Sequence, residues 1–174
     1  MHIQHDISLK PYNTFRIDVT AKHFVSVSNI SELKAVLSLA EFPDKLILGG
    51  GSNMLLTKDQ EKLVIHINLK GIDIISQDDD FVIVKANAGE NWHEFVLWCM
   101  KNNFGGIENL SLIPGNVGTS PIQNIGAYGV ELTDVVSGWQ RFPSQAQAGR
   151  LHLRYRSLAE FCRASQASTS WRRP

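Results

Sequence analysis

Two glycine-rich segments hold the residues whose types and spacing could bind a ligand. Residues 48–53, the first glycine segment, read Leu-Gly-Gly-Gly-Ser-Asn, and residues 113–129, the second glycine segment, contain four glycines and two prolines. Consecutive glycines let backbone amides approach an anion closely and reach the positive φ angles that turn several N–H groups toward one point. The first segment directly follows an apolar run typical of a strand. This pattern predicts a site for a phosphate-bearing cofactor.

The standard nucleotide motifs do not fit the first glycine segment. A P-loop needs a lysine followed by serine or threonine after its last glycine, and Gly51-Ser52-Asn53 has no lysine. A Rossmann fingerprint needs a third glycine where this chain has Met54. What is left is a tight turn whose amides, with the Ser52 and Asn53 side chains, could bind phosphate oxygens. A plain glycine turn without a ligand is the alternative.

The second glycine segment carries few charges and many hydrogen-bonding side chains. These are Asn116, Thr119, Ser120, Gln123 and Asn124. Such a composition suits a large, polar, planar ligand held against the protein, because buried polar groups must find partners. An ordered loop that binds no ligand stays open as the alternative.

The body of the chain alternates between strand-like and helix-like patterns. Asparagine followed three residues later by glutamate predicts two helix starts, at Asn29 and Asn91. In the first helix, one face is expected to carry Leu33, Val36, Leu37 and Ala40. Strands are predicted at residues 23–28, 45–48, 63–67, 72–75, 81–86 and 131–137. The expected fold class is therefore α+β.

The zero net charge of the 174 residues hides an asymmetry. Residues 1–138 carry ten basic and sixteen acidic residues, whereas residues 139–174 carry seven arginines and one acidic residue. We expect a domain at 1–138 and a divergent, Arg-rich tail at 139–174, either disordered or the product of a frameshift. No RNA-binding motif accompanies the arginines, so nucleic acid is not an expected partner.

The remaining features narrow the class of protein. No apolar run reaches membrane-spanning length and the first ten residues are too polar for a signal peptide, so we expect a cytoplasmic protein without a membrane partner. Cys99 and Cys162 have no disulfide or metal-site spacing, and Cys99 is expected to be buried in a helix. His66 and His93 are interpreted as structural or exposed. No metal site is predicted, and nothing predicts the oligomeric state.

Four motifs in order resemble one enzyme family. Residues 10–15, 48–53, 88–93 and 113–132 are similar to successive signatures of bacterial UDP-N-acetylenolpyruvoylglucosamine reductase, also called UDP-N-acetylmuramate dehydrogenase, a flavoenzyme of peptidoglycan precursor synthesis. The similarity runs from about residue 8 to residue 136. It implies a PCMH-type FAD-binding fold of two small subdomains, with the family's substrate domain absent.

The resemblance also implies the site and the chemistry. FAD would be bound by Gly49, Gly50, Gly51, Ser52, Asn53, Pro114, Gly115, Gly118, Thr119, Ser120, Gln123, Asn124, Gly126 and Tyr128. Residues 49–53 would hold the pyrophosphate, and Tyr128, between small residues, would offer the flavin a flat apolar face. NADPH would reduce the flavin, which would pass hydride to a UDP-sugar enolpyruvyl ether, giving UDP-N-acetylmuramate.

The catalytic residues are where the chain departs from the family. The family's proton-donating serine and its glutamate lie in the substrate domain. Its Tyr-Arg-Asp-Ser motif is matched only in part by Tyr155-Arg156-Ser157, so Arg156 is given no firm catalytic role. We therefore expect the chain alone to be inactive. The alternative function is a catalytically inactive FAD-binding module.

Overall fold

The structure is a computed structural model that describes residues 2–78, 81–141 and 156–165. Its strands are β1 (Gln4–Ser8), β2 (Thr20–Val27), β3 (Lys45–Leu48), β4 (Gln60–Ile67), β5 (Ile72–Gln77), β6 (Phe81–Asn87), β7 (Gly126–Ala127), β8 (Val130–Glu131), β9 (Val136–Arg141) and β10 (Arg156–Ser165). Its α-helices are α1 (Ile30–Leu37), α2 (Trp92–Lys101) and α3 (Leu132–Val135). Short 3₁₀ turns lie at Lys10–Tyr12, Glu108–Leu110 and Val117–Thr119.

The first sheet has the order β1-β2-β4-β3. β2, β4 and β3 are parallel, and β1 pairs antiparallel with β2. Leu63, Val64 and Ile65 of the interior strand β4 are all fully buried, as expected of a parallel strand covered on both faces. Helix α1 packs on one face through Leu33 and Val36. The first glycine segment leaves this sheet at the end of β3.

The second sheet has the order β5-β6-β10-β9, with all neighbours antiparallel. Helix α2 supplies its core with Trp92, Phe95, Val96 and Cys99, each fully buried. The burial of Cys99 confirms the expectation from the sequence. Strand β9 runs through residue 138, and β10 pairs with both β6 and β9. The domain boundary at 138 and the nature of the tail stay predictions.

Both predicted helix caps are confirmed. The side chain of Asn29 accepts a hydrogen bond from the Glu32 amide at 2.9 Å, and that of Asn91 accepts one from the Glu94 amide at 3.1 Å. The predicted strand at 45–48 matches β3. β2 begins three residues before its predicted start because β1, which was not predicted, pairs with it from Thr20 onward.

Two local predictions are wrong. Residues 131–137 are not one strand: Leu132–Val135 forms α3, and only then does β9 begin. The Glu131 amide donates to the Asp134 carboxylate at 2.8 Å, which caps a helical turn and buries Leu132 and Val135 on one side. In the first helix, Ala40 is exposed and lies beyond the helix end at Leu37.

None of the helices in the described part of the chain is long and apolar enough to cross a membrane.

Candidate functional site

The first glycine segment is shaped by its contact with residues 12–14. Gly51 has a φ of 61°, and a Cβ atom there would lie 2.1 Å from the Tyr12 carbonyl oxygen. The Thr14 amide donates to the Gly51 carbonyl at 3.2 Å. Only glycine fits this position, because both the left-handed backbone and the close approach exclude a side chain.

Asn13 holds the loop of residues 9–17 together through three hydrogen bonds. It is only 5% exposed, and its amide nitrogen donates to the carbonyl oxygens of Leu9 at 2.7 Å and Ile17 at 2.9 Å. Its side-chain oxygen accepts from the Ile17 amide at 2.9 Å. One buried side chain therefore closes the loop that carries Tyr12 and Thr14 against Gly51.

The two glycine segments lie against each other. A Cβ atom on Gly50 would lie 2.8 Å from the Asn116 side-chain oxygen, and one on Gly49 would lie 2.9 Å from the Thr119 methyl carbon. A Cβ atom on Gly115 would lie 3.1 Å from the Ser52 hydroxyl oxygen. The structure thus brings together predicted site residues that are far apart in the sequence.

The second glycine segment is fastened to the start of helix α2. The Val117 amide donates to the Glu90 carbonyl at 2.9 Å, the Gly118 amide to the Ala88 carbonyl at 3.0 Å, and the Trp92 amide to the Gly115 carbonyl at 2.9 Å. A Cβ atom on Gly118 would lie 2.6 Å from that of Ala88. This close packing explains the glycine at 118 without a ligand.

Two predicted site hydroxyls bond to their own turn. The Ser120 hydroxyl, fully buried, donates to the Val117 carbonyl at 2.7 Å. The Thr119 hydroxyl donates to the Asn116 carbonyl at 2.9 Å. These bonds shape the segment.

Gln123 is half-buried, and a Cβ atom on Gly115 would lie 3.2 Å from its side-chain nitrogen. The other five predicted residues lie toward the solvent. Asn53, Pro114, Asn124, Gly126 and Tyr128 are exposed. Tyr128 and Gly129, with φ of 54° and 80°, form the two-residue turn between β7 and β8, as type I′ hairpins require. The Tyr128 side chain is 89% exposed. In this structure its ring stands at the tip of the hairpin.

The amides of the first glycine segment have no acceptor within the described protein. None of the hydrogen bonds among the described residues is donated by the backbone N–H groups of residues 49–53. Gly51 is buried, while Gly50 and Asn53 are exposed. A run of N–H groups left without acceptors at a partly exposed turn can donate to an anion.

Two basic side chains line an open depression beside this turn, and one of them, Lys10, is paired with Asp18 at 3.9 Å. This depression of about 570 Å³ is lined by Lys10, Pro11, Asn13, Thr14 and Arg16, and it adjoins the first glycine segment through Thr14. His66 lies in register with Leu48, the residue before the first glycine, and its Nδ1 is 3.1 Å from the Ser26 hydroxyl. Burial, with a smaller contribution from Lys70, lowers the pKa of His66. In the described part of the chain, no three His, Cys, Asp or Glu side chains cluster closely enough to hold a metal.

Some residues that shape the site are not predicted from the sequence. Asn116 is not among the residues predicted to bind FAD, yet its side-chain oxygen would lie 2.8 Å from a Cβ atom on Gly50. Asn13 and residues 88–93 belong to motifs for which the sequence predicts no role, and both hold a glycine segment in place. The Asn91 cap was a usable signal for residues 88–93, since it predicted a fixed helix start. No local signal marks a contact between distant segments.

Comparison with known proteins defines the class. The FAD binding domain family matches residues 21–142, which is more than half of the chain. The chain therefore belongs to the FAD binding domain family, and FAD is the cofactor for which this family is named.

The relatives agree with the resemblance in the sequence motifs. The chain is 63% identical over 134 residues to UDP-N-acetylenolpyruvoylglucosamine reductase of Flavobacterium johnsoniae, covering 77% of this chain and 40% of that protein. It is 48% identical over 137 residues to the enzyme of the same name from Pseudomonas putida, covering 78% and 40%. The predicted recognition is confirmed. The chain spans about 40% of the length of these curated relatives.

Solved structures confirm the predicted fold class. The crystal structure of UDP-N-acetylenolpyruvylglucosamine reductase from Thermus caldophilus aligns with a TM-score of 0.70 at 21% identity, covering 92% of this chain and 62% of that chain. An alkyldihydroxyacetonephosphate synthase aligns with a TM-score of 0.61 at 14% identity, covering 86% and 33%. The fold is thus the α+β, PCMH-type FAD-binding fold.

Proposed function

We propose that this chain binds FAD where its two glycine segments meet. The observation that carries the proposal is the set of backbone N–H groups at residues 49–53, which have no acceptor among the described residues. A diphosphate carries about two negative charges, and converging amides stabilise such a group without a lysine. The residues present fit the cofactor, because the donors are unused and the turn is partly open.

The second glycine segment would hold the rest of the cofactor. Its contact with Gly49, Gly50 and Ser52 supports a single site formed by both segments. Pro114, Gly115, Gln123 and Asn124 would line it, and Tyr128 on its hairpin would contact the flavin from outside. When bound, FAD supplies the hydride-transfer chemistry, and the protein supplies binding and orientation.

We further propose that this FAD site serves a reductase. The relatives' name supports reduction of a UDP-N-acetylglucosamine enolpyruvate substrate. The proposal adds NADPH as the reductant, UDP-N-acetylmuramate as the product, and a place in peptidoglycan precursor synthesis in the cytoplasm. The alternative is an FAD-binding module without turnover.

Flavin titration tests the FAD site. Purified chain should quench FAD fluorescence at a stoichiometry of one, and bound flavin should be visible in its absorbance spectrum. Gly50→Ala should weaken binding, because the added methyl would press on Asn116 and separate the two segments. Ser76→Ala, at an exposed position of the edge strand β5, is the control. Failure of the wild-type chain to bind FAD would overturn the proposal.

Turnover separates the two functional alternatives. We expect the chain, supplied with FAD, NADPH and UDP-N-acetylglucosamine enolpyruvate, to form no UDP-N-acetylmuramate above a control with free FAD. Product can be measured by chromatography of the sugar nucleotides. Product formation above that control would exclude the inactive module and establish the reductase.

A further inference from the structure

His93 contacts the residue that directly precedes the second glycine segment. It is the second residue of helix α2, and its Nδ1 lies 3.1 Å from the backbone nitrogen of Leu112. A backbone amide can only donate, so Nδ1 is the acceptor and the ring proton is on Nε2. The bond joins the start of a helix to the residue just before Ile113.

Leu112 has an unusual conformation for its residue type. Its φ is 62°, in the left-handed region that side chains other than glycine seldom adopt, and its side chain is 77% exposed. Its side chain therefore gains little burial to offset the strain. The neighbouring Trp92 ring donates to the Leu110 carbonyl at 2.6 Å. Trp92 and His93, adjacent in α2, thus bond to Leu110 and Leu112, on the two sides of the turn at Ser111.

The turn at Leu112 determines where the second glycine segment lies. Gly115, three residues later, packs on the Ser52 hydroxyl of the first glycine segment. The Gly115 carbonyl accepts a hydrogen bond from the Trp92 amide, so the start of α2 also holds Gly115 in place. A change in the Leu112 backbone would move residues 113–115 relative to residues 49–53.

We infer that His93 is a positioning residue for the FAD site: its Nδ1 holds Leu112 in the left-handed conformation and thereby places the second glycine segment against the first. This inference rests on the proposed FAD function. It gives His93 no part in proton transfer.

Replacing the acceptor tests the inference. In His93→Asn the side-chain oxygen can take the place of Nδ1, whereas His93→Leu has similar bulk and no acceptor. We expect the FAD dissociation constant to rise roughly 3- to 10-fold in His93→Leu, and to stay within about 2-fold of wild type in His93→Asn. His2→Leu, at an exposed histidine near the N-terminus, is the control for loss of a histidine.

Amide exchange tests the same contact without FAD. By NMR, the Leu112 amide should exchange faster in His93→Leu than in wild type or His93→Asn. If His93→Leu does not fold, His93→Gln replaces it, since its longer side chain carries the acceptor past the Nδ1 position. Equal loss of affinity in the Asn and Leu variants, or wild-type affinity and exchange in His93→Leu, would overturn the inference. Absence of FAD binding by wild type with the expected exchange pattern would refute only the FAD proposal.

Discussion

At the scale of single residues, Gly51 should be the glycine least tolerant of substitution in the first segment. Gly51→Ala brings a methyl group onto the Tyr12 carbonyl oxygen and also forces alanine into the left-handed region. We expect the free energy of unfolding to fall by about 3 kcal/mol or more, of which the left-handed conformation accounts for about 1–2 kcal/mol. Urea denaturation followed by circular dichroism measures the loss.

Gly129 separates the two causes of that loss. It has a φ of 80° but no atom within 4 Å of its would-be Cβ, so Gly129→Ala pays the conformational strain alone. We expect a loss of about 1–2 kcal/mol for this variant. Equal losses for the two variants would mean that the contact with Tyr12 contributes nothing.

At the scale of elements, the two capped helices differ in what they support. Asn29→Ala and Asn91→Ala each remove a side-chain acceptor for an amide in the first helical turn, at Glu32 and Glu94. Each should lower the free energy of unfolding by about 1 kcal/mol. Only Asn91→Ala should also weaken FAD binding, because the helix start that it loosens bonds to the second glycine segment through the Trp92 amide and the Gly115 carbonyl.

Calorimetric titration of FAD into both variants checks this difference. Asn91→Asp keeps an acceptor and should restore both stability and affinity. If Asn29→Ala weakened FAD binding as much as Asn91→Ala, the effect would come from general destabilisation and not from the second segment.

Elements with a local signal could be predicted from the sequence. Both caps followed from asparagine and glutamate three residues apart, and β3 from an apolar run ending in glycine. Helix α3 could have been predicted in the same way, since Glu131 and Asp134 have the spacing of a cap; the apolar residues around them were interpreted as a strand instead. β1 was not predicted because four of its five residues are exposed, which leaves little apolar pattern.

At the scale of the whole molecule, stability should depend on the ionisation of His66. Burial lowers its pKa below the ordinary value of 6.5, so the folded state favours the neutral ring and the unfolded chain binds the proton more tightly. The stability linked to His66 is present above pH 6.5 and is lost as the pH falls from there through the lowered pKa.

Replacing His66 should reduce the pH dependence of the free energy of unfolding. We expect His66→Asn, which can still contact the Ser26 hydroxyl, to lose less stability than wild type when the pH is lowered below 6.5. Urea midpoints measured across that range give the comparison. His2→Asn, at an exposed site, is the control. Parallel curves for wild type and His66→Asn would contradict the prediction.

Local sequence patterns predict the two glycine segments but not the contact between them. The two glycine segments could be singled out because consecutive glycines after a strand, and a loop rich in polar side chains but poor in charge, are visible in the sequence. Their contact, through Gly50 with Asn116 and Gly115 with Ser52, depends on how the two sheets pack and has no signature in either segment. The sheet order, in which β10 lies between β6 and β9, is likewise set by long-range pairing.

The cores of the two sheets are built from different side chains. The first glycine segment follows β3 of the first sheet, and the second is bonded to the start of α2, which packs on the second sheet. The proposed FAD site would therefore need both halves of the molecule. On that proposal, only molecules whose two halves are docked take up flavin, so flavin uptake during refolding would measure the fully assembled fraction. Circular dichroism, which reports helix and strand content, would also detect partly assembled molecules.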